Sequence, residues 1–134
     1  MATIFTKIVN GEIPSYKIAE DDNYYAFLDI NPLAKGHTLV IPKKEVDYIF
    51  DVEDDLLKGL FAFSKQVARA IEKVIPCKRI GLTIIGLEVP HAHVHLIPIN
   101  SIYDMDFKQP KLKFQPVEFE TIAESIKTAY AELD

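Results

Sequence analysis

The spacing of apolar and polar positions changes period along the chain. Tyr16–Glu20, Tyr24–Asp29 and His37–Ile41 are short β-branched or aromatic stretches separated by the turn signals Asp21-Asp22-Asn23, Asn31-Pro32 and Gly36. They read as strands. From Glu53 to Ile75 the period lengthens. Leu56, Leu60, Phe63, Val67, Ile71 and Val74 recur at spacings of three and four, which sets them on one face of a helix. Glu53, Asp54 and Asp55 suit its positive N-terminal end and Pro76 stops it. Two more strands are predicted at Arg79–Ile85 and Pro90–Ile99. A final helix over Val117–Leu133 repeats Phe119, Ile122, Ile126, Tyr130 and Leu133 on one face. Strands grouped before and after one long helix predict an α+β fold, an antiparallel sheet of about five strands with helices on one side. Only Asn100–Pro116 resembles a long loop. It is rich in charge, and Tyr103, Phe107 and Phe114 are its candidate anchors.

Composition narrows the class. A chain of 134 residues fits one domain, 1–134, and its 49% apolar and 26% charged content excludes a disordered, collagenous or coiled-coil chain. A net charge of -5 and a pI near 5.3 argue against gripping nucleic acid through a broad basic face. They leave room for a single nucleotide in a local pocket. Cys77 is the only cysteine and cannot form an internal disulfide. No apolar run reaches the length of a signal peptide core or a membrane span. The expectation is a cytoplasmic protein with no membrane partner.

Chemistry concentrates at His91-Ala92-His93-Val94-His95-Leu96-Ile97. On a strand, His91, His93 and His95 would share one face, with successive imidazoles roughly 6.5–7 Å apart, while Ala92, Val94 and Leu96 face the core. Three imidazoles make poor core material, because each ring carries a donor and an acceptor that need partners. The residues alone leave three readings open. One is a solvated surface strand. The second is a metal site, with His37 adding a third ligand to an H-x-H pair. The third is acid–base and nucleophilic work on phosphorus, in which one imidazole attacks and another donates a proton.

The same stretch resembles the histidine triad of the HIT family of nucleotide hydrolases and transferases. Thr3–Pro14, Ala26–Pro32 and Gly36–Lys43 resemble the family's preceding blocks, in the family's order across about the first hundred residues. The resemblance implies a covalent nucleotidyl-imidazole formed at His93, whose N–H is held by the His91 backbone carbonyl. It implies that His95 contacts the phosphate near the departing group and that His37 fixes the triad's hydrogen bonds. Asp29 would accept the two ribose hydroxyls, although the residues alone read it as a turn aspartate before Asn31-Pro32. Ile4, Phe5, Ile8, Phe27 and Ile30 would form the apolar slot for a purine, or ordinary core. Lys43 and Lys44 stay outside the site. The resemblance also implies a homodimer, paired through a strand and the long helix so that two sheets join into one.

Two departures from the family pattern bear on function. Zinc-bearing relatives carry C-x-x-C near the N-terminus and a histidine shortly after the Ile-Pro-Lys. Thr3, Thr6 and Glu45 stand there in this chain, so no metal is expected, and no cofactor either. Relatives also place an asparagine and a polar G-Q-x-V ahead of the triad. Here the stretch from Gly81 to Pro90 lacks both, with Leu87 in place of the glutamine and Thr83 and Glu88 as the polar groups that remain. The function expected is hydrolysis of a purine nucleoside phosphoramidate or related adenylate. The alternatives are dinucleoside polyphosphate hydrolysis and a nucleotide-binding sensor or adaptor with little catalysis.

Overall fold

A computed structural model describes residues 2–133. Its elements in chain order are α1 (Ile4–Val9), β1 (Lys17–Glu20), β2 (Tyr24–Leu28), β3 (Thr38–Pro42), α2 (Asp54–Val74), β4 (Arg79–Thr83), β5 (Val94–Ile99) and α3 (Pro116–Ala131). The five strands form one sheet in the order β1-β2-β3-β5-β4, with every neighbouring pair antiparallel. This is the α+β architecture the sequence predicts.

Strand alternation sends side chains to two different cores. Tyr24, Ala26 and Leu28 of β2, Val40 of β3 and Val94 and Leu96 of β5 meet Leu60, Phe63, Val67 and Ile71 of α2 and Phe119, Ile122 and Ile126 of α3. The helical faces read from spacing are the faces that pack. Leu56, Val74, Tyr130 and Leu133 sit at the margin of that core, partly buried. The opposite face carries a second apolar cluster in which Phe5 and Ile8 of α1 pack on Tyr25, Phe27, Leu39 and Ile41. Helices therefore cover both faces, not one. The missed element is α1, a helix of six residues whose N-cap Thr3 accepts a hydrogen bond from the Thr6 amide. With cover on both sides, β2 and β3 are buried along their whole length.

Three further expectations change. The strand predicted from Pro90 begins at Val94, because the β3 ladder ends at the Val40–Val94 pair. The strand predicted to Ile85 ends at Thr83. In the long loop, Phe114 packs on Phe119 with ring centroids 5.4 Å apart, and the Leu112 amide donates to the Pro32 carbonyl at 2.8 Å. The Tyr103 side chain is exposed, and its carbonyl accepts from Gln109 Nε2 at 2.6 Å. Among the described residues, no helix is long and apolar enough to cross a membrane.

Candidate active site

All four histidines are buried on the α1 side of the sheet or at its end, and the hydrogen bonds around them determine which nitrogen of each ring holds the proton. His91 Nε2 lies 2.8 Å from the Pro42 carbonyl. A carbonyl only accepts, so Nε2 carries the hydrogen and Nδ1 takes the Thr3 hydroxyl, 2.8 Å away, as its donor. His93 Nδ1 lies 2.8 Å from the His91 carbonyl, so Nδ1 is the protonated nitrogen and Nε2 keeps a free lone pair. The Leu33 amide donates to His37 Nδ1 at 3.0 Å. His37 therefore holds its proton on Nε2 and donates it to His95 Nδ1, 3.0 Å away. That leaves His95 with its own N–H at Nε2. The array ends as a neutral nucleophilic nitrogen on His93 and an N–H donor on His95.

Local structure explains the placement. Gly36 adopts a φ of 91° where a Cβ would meet the Ile75 side chain at 2.9 Å, so a glycine is needed in the turn that delivers His37. Of the triad only His95 lies in the β5 ladder, opposite Leu39 and Thr83. His91 and His93 precede it, and the His93 and His95 ring centroids approach to 5.0 Å. This is closer than two strand rises, since the rings are not stacked along a common ladder. Thr83 shares the His95 face by cross-strand register.

Burial keeps the rings neutral. It pushes His37 down to about 3, with the neighbouring His95 adding to the effect. It takes His95 down to about 4, helped by His93. His91 and His93 are also lowered by burial, partly opposed by their bonds to the Pro42 and His91 carbonyls. Asp29 moves the other way: burial raises its carboxyl above the usual range despite the Asn31 amide on Oδ1. Its second oxygen is 3.6 Å from His37 Nε2.

The apolar residues named from the sequence divide into two groups. Phe5, Ile8 and Phe27 are buried together, and Phe5 meets His93 edge-on with centroids 5.0 Å apart. Ile4 and Ile30 are largely exposed, at the starts of α1 and of the turn after β2. On the other side of the pair, a cavity of about 180 Å³ is lined by His93, His95, Ile85, Gly86, Leu87, Glu88 and Phe107. Phe107 was read only as a loop anchor. It packs edge-on against His95 at 4.9 Å and against His37 at 6.2 Å. Its one signal in the sequence is that it is an aromatic residue in a charge-rich loop, which it shares with Tyr103 and Phe114.

Two donor sets bear on metal binding. Asp29, His37 and His95 bring ligand atoms within 4.8 Å of one another, but the facing nitrogens of the two rings already share a proton. Thr3, Thr6 and Glu45 do come together. The Thr3 amide and Thr6 hydroxyl both donate to Glu45 Oε1 at 2.7 Å. Two neutral hydroxyls committed to other partners do not suit zinc, which takes thiolate, imidazole or carboxylate.

An antiparallel sheet that presents a buried histidine triad beside an apolar cluster defines the class, and sequence comparison agrees. The HIT domain family matches residues 10–102, and the chain belongs to that family. It is 37% identical over 131 residues to an uncharacterized HIT-like protein of Borreliella burgdorferi, covering 92% of this chain and 94% of that protein. It is 36% identical over 131 residues to the Schizosaccharomyces pombe protein named adenosine 5'-monophosphoramidase hnt1, covering 96% and 98%. Among solved structures, a Hit-like protein from Bartonella henselae, described as involved in cell-cycle regulation and holding an unknown ligand, superposes with a TM-score of 0.82. It is 31% identical, over 95% of each chain.

Proposed function

We propose that the chain, as one HIT-type domain, hydrolyses a purine nucleoside phosphoramidate or related adenylate through a nucleotidyl-His93 intermediate. The observation that carries this reading is the fixed pair of tautomers, a lone pair on His93 Nε2 and an N–H on His95 Nε2, on neighbouring rings that line one cavity. His93 Nε2 attacks the α-phosphorus of a phosphoramidate protonated on its nitrogen, and a P–N bond to His93 forms as the bond to that nitrogen breaks, so the leaving group departs as a neutral amine. The positive charge acquired by the ring is stabilised by the Nδ1–H···O bond to His91. His95 hydrogen-bonds the atom on which negative charge develops. Water then attacks phosphorus as the P–N bond to His93 breaks, its released proton passes to the departed amine, and His93 regains its lone pair.

Asp29 accepts the ribose hydroxyls, and Phe5, Ile8 and Phe27, with Ile4 and Ile30 at the rim, hold the purine. The lining of the cavity favours an amine leaving group over a phosphate chain. Ile85, Leu87 and Phe107 are apolar and Glu88 is the one charged residue among them, so a polyphosphate would face a carboxylate. The relative named as a monophosphoramidase points the same way. The reading also includes a homodimer. β4 ends the strand order with an open edge, available to pair with a second copy alongside α2. A reducing, nucleotide-rich compartment such as the cytoplasm suits both the substrate and the lone Cys77.

Trapping tests the reading. Wild-type protein mixed with adenosine phosphoramidates should show a nucleotidyl adduct by intact-protein mass spectrometry. His93→Ala should lose the adduct and at least roughly a thousandfold in turnover while still binding AMP. Because burial lowers His93, the acid limb of kcat/KM should fall below pH 6.5. A second reading, a nucleotide-binding sensor, draws on the absent polar lead-in between Gly81 and Pro90. It prevails if AMP binds but neither adduct nor turnover is found with phosphoramidates or dinucleoside polyphosphates.

A further inference from the structure

The peptide that holds the His93 proton lies outside the sheet. β5 begins at Val94, so no ladder fixes the orientation of the His91 carbonyl. Its rigidity comes from elsewhere. The Ala92 amide donates to the Val46 carbonyl at 2.7 Å, and the His91 amide donates to the Val89 carbonyl at 2.8 Å. The His91 ring is pinned at both nitrogens, by the Pro42 carbonyl and by the Thr3 hydroxyl. Thr3 is itself held at its hydroxyl and at its amide, and its hydroxyl oxygen also lies 3.3 Å from that of Thr6. Its hydroxyl accepts from the Thr6 amide at 3.1 Å, and its amide donates to Glu45 Oε1, which also takes the Thr6 hydroxyl.

Directionality runs one way through this cluster. Glu45 can only accept, so Thr6 must donate to it. The Thr3 hydroxyl takes the Thr6 amide on a lone pair; its one hydrogen has two acceptors in reach, Thr6 Oγ1 at 3.3 Å and His91 Nδ1 at 2.8 Å, and goes to the nearer. His91 must then be protonated at Nε2, the form that suits the Pro42 carbonyl. Each bond has a single permitted sense, and the ring so fixed belongs to the residue whose carbonyl receives the His93 proton.

We propose that Thr3 and Glu45 are positioning residues for the nucleophile, acting through the His91 ring to hold the His91 carbonyl against His93 Nδ1. The kinetic part of this proposal rests on His93 being the nucleophile. The cluster joins the cap of α1, the segment after β3 and the triad. Its loss should therefore misalign His93 without emptying the purine slot.

The variants Thr3→Val, Thr3→Ser and Glu45→Ala test this in three measurements. Steady-state kinetics on an adenosine phosphoramidate should show kcat of Thr3→Val falling about tenfold, the scale of one lost hydrogen bond at a reacting centre, with KM little changed. Thr3→Ser should restore wild-type kcat. Glu45→Ala, which keeps the Thr3 hydroxyl, should show a smaller fall of the same kind. Because Thr3 also caps α1, a loss of the cap alone would raise KM through Phe5 and Ile8, and that pattern overturns the proposal. Long-range ¹H–¹⁵N spectra of the histidine rings give a readout independent of turnover. Wild type should show His93 protonated at Nδ1 and Thr3→Val a mixture of tautomers. Unchanged His91 and His93 tautomers in Thr3→Val refute the positioning role. If wild type turns over no nucleotide, the functional reading fails, and the ring spectra alone decide whether the cluster fixes His93.

Discussion

Lowering the pH from 7 to 5 should destabilise the fold by an amount set largely by two rings. A histidine in the unfolded chain titrates near 6.5, so at pH 5 it is almost wholly protonated. His37, at about 3, and His95, at about 4, stay neutral in the folded protein. The unfolded state then binds more protons, so stability falls as pH falls, and the window runs from about 6.5 down to the folded values. Linkage gives roughly 2 kcal/mol for each ring between pH 7 and pH 5, or roughly 4 kcal/mol for the pair. That is a large share of the 5–15 kcal/mol typical of a domain. His91 and His93 add in the same sense, while Asp29, raised by burial, acts against them. Ordinary carboxylates remain mostly ionised at pH 5, which isolates the histidines. The chain has no tryptophan, so urea unfolding is best followed by far-UV circular dichroism at the two pH values. His37→Gln places a non-titrating amide donor toward His95 and should lose only about half as much stability as wild type over the same interval. A wild-type loss below about 1 kcal/mol, or an equal loss in the variant, would refute the argument that burial rather than charge holds these rings neutral.

Other expected outcomes are briefer. The Ser64 hydroxyl is buried in α2 with no hydrogen-bond partner among the described residues, so Ser64→Ala should stabilise by about 1 kcal/mol and raise Tm by roughly 3–5 °C in thermal melts. Phe107→Ala should admit water to His95 and move its titration upward from about 4, measured by NMR; an unmoved His95 would show that Phe107 does not exclude solvent.

Much of the fold could be read from side-chain period. Leu60, Phe63, Val67 and Ile71 pack where spacing placed them, since a helix of 21 residues repeats its face many times. α1 escaped because six residues hold barely two turns, and only Phe5 and Ile8 are buried. The alternation of His91, Ala92, His93 and Val94 imitates a strand. Pairing with β3 nevertheless stops at Val94, and Ala92 bonds instead to Val46, which no local pattern announces. For the site, the histidines stand out as residue types, whereas Asp29 by itself reads as a turn residue and joins them only through the family resemblance. The proton positions on the rings are not legible in the residues themselves: the His91 carbonyl on His93 comes only through the resemblance, and the Leu33 amide and Pro42 carbonyl that set the other rings belong to main chain. Thr3, Thr6 and Glu45 were noticed only as places where relatives carry zinc ligands. That they meet one another and His91 is a matter of tertiary contact between positions 3, 45 and 91, which local spacing does not encode.

The bond from the Leu33 amide to His37 Nδ1 has a consequence for how this protein can vary. The donor that orients His37, and through it His95, belongs to the main chain of a turn and is common to nineteen of the twenty amino acids. Sequence can therefore drift at position 33 while the array keeps its polarity, and proline alone, which has no amide hydrogen, would erase it. Part of the chemical identity of this centre is thus written in backbone, where a comparison of side chains does not see it.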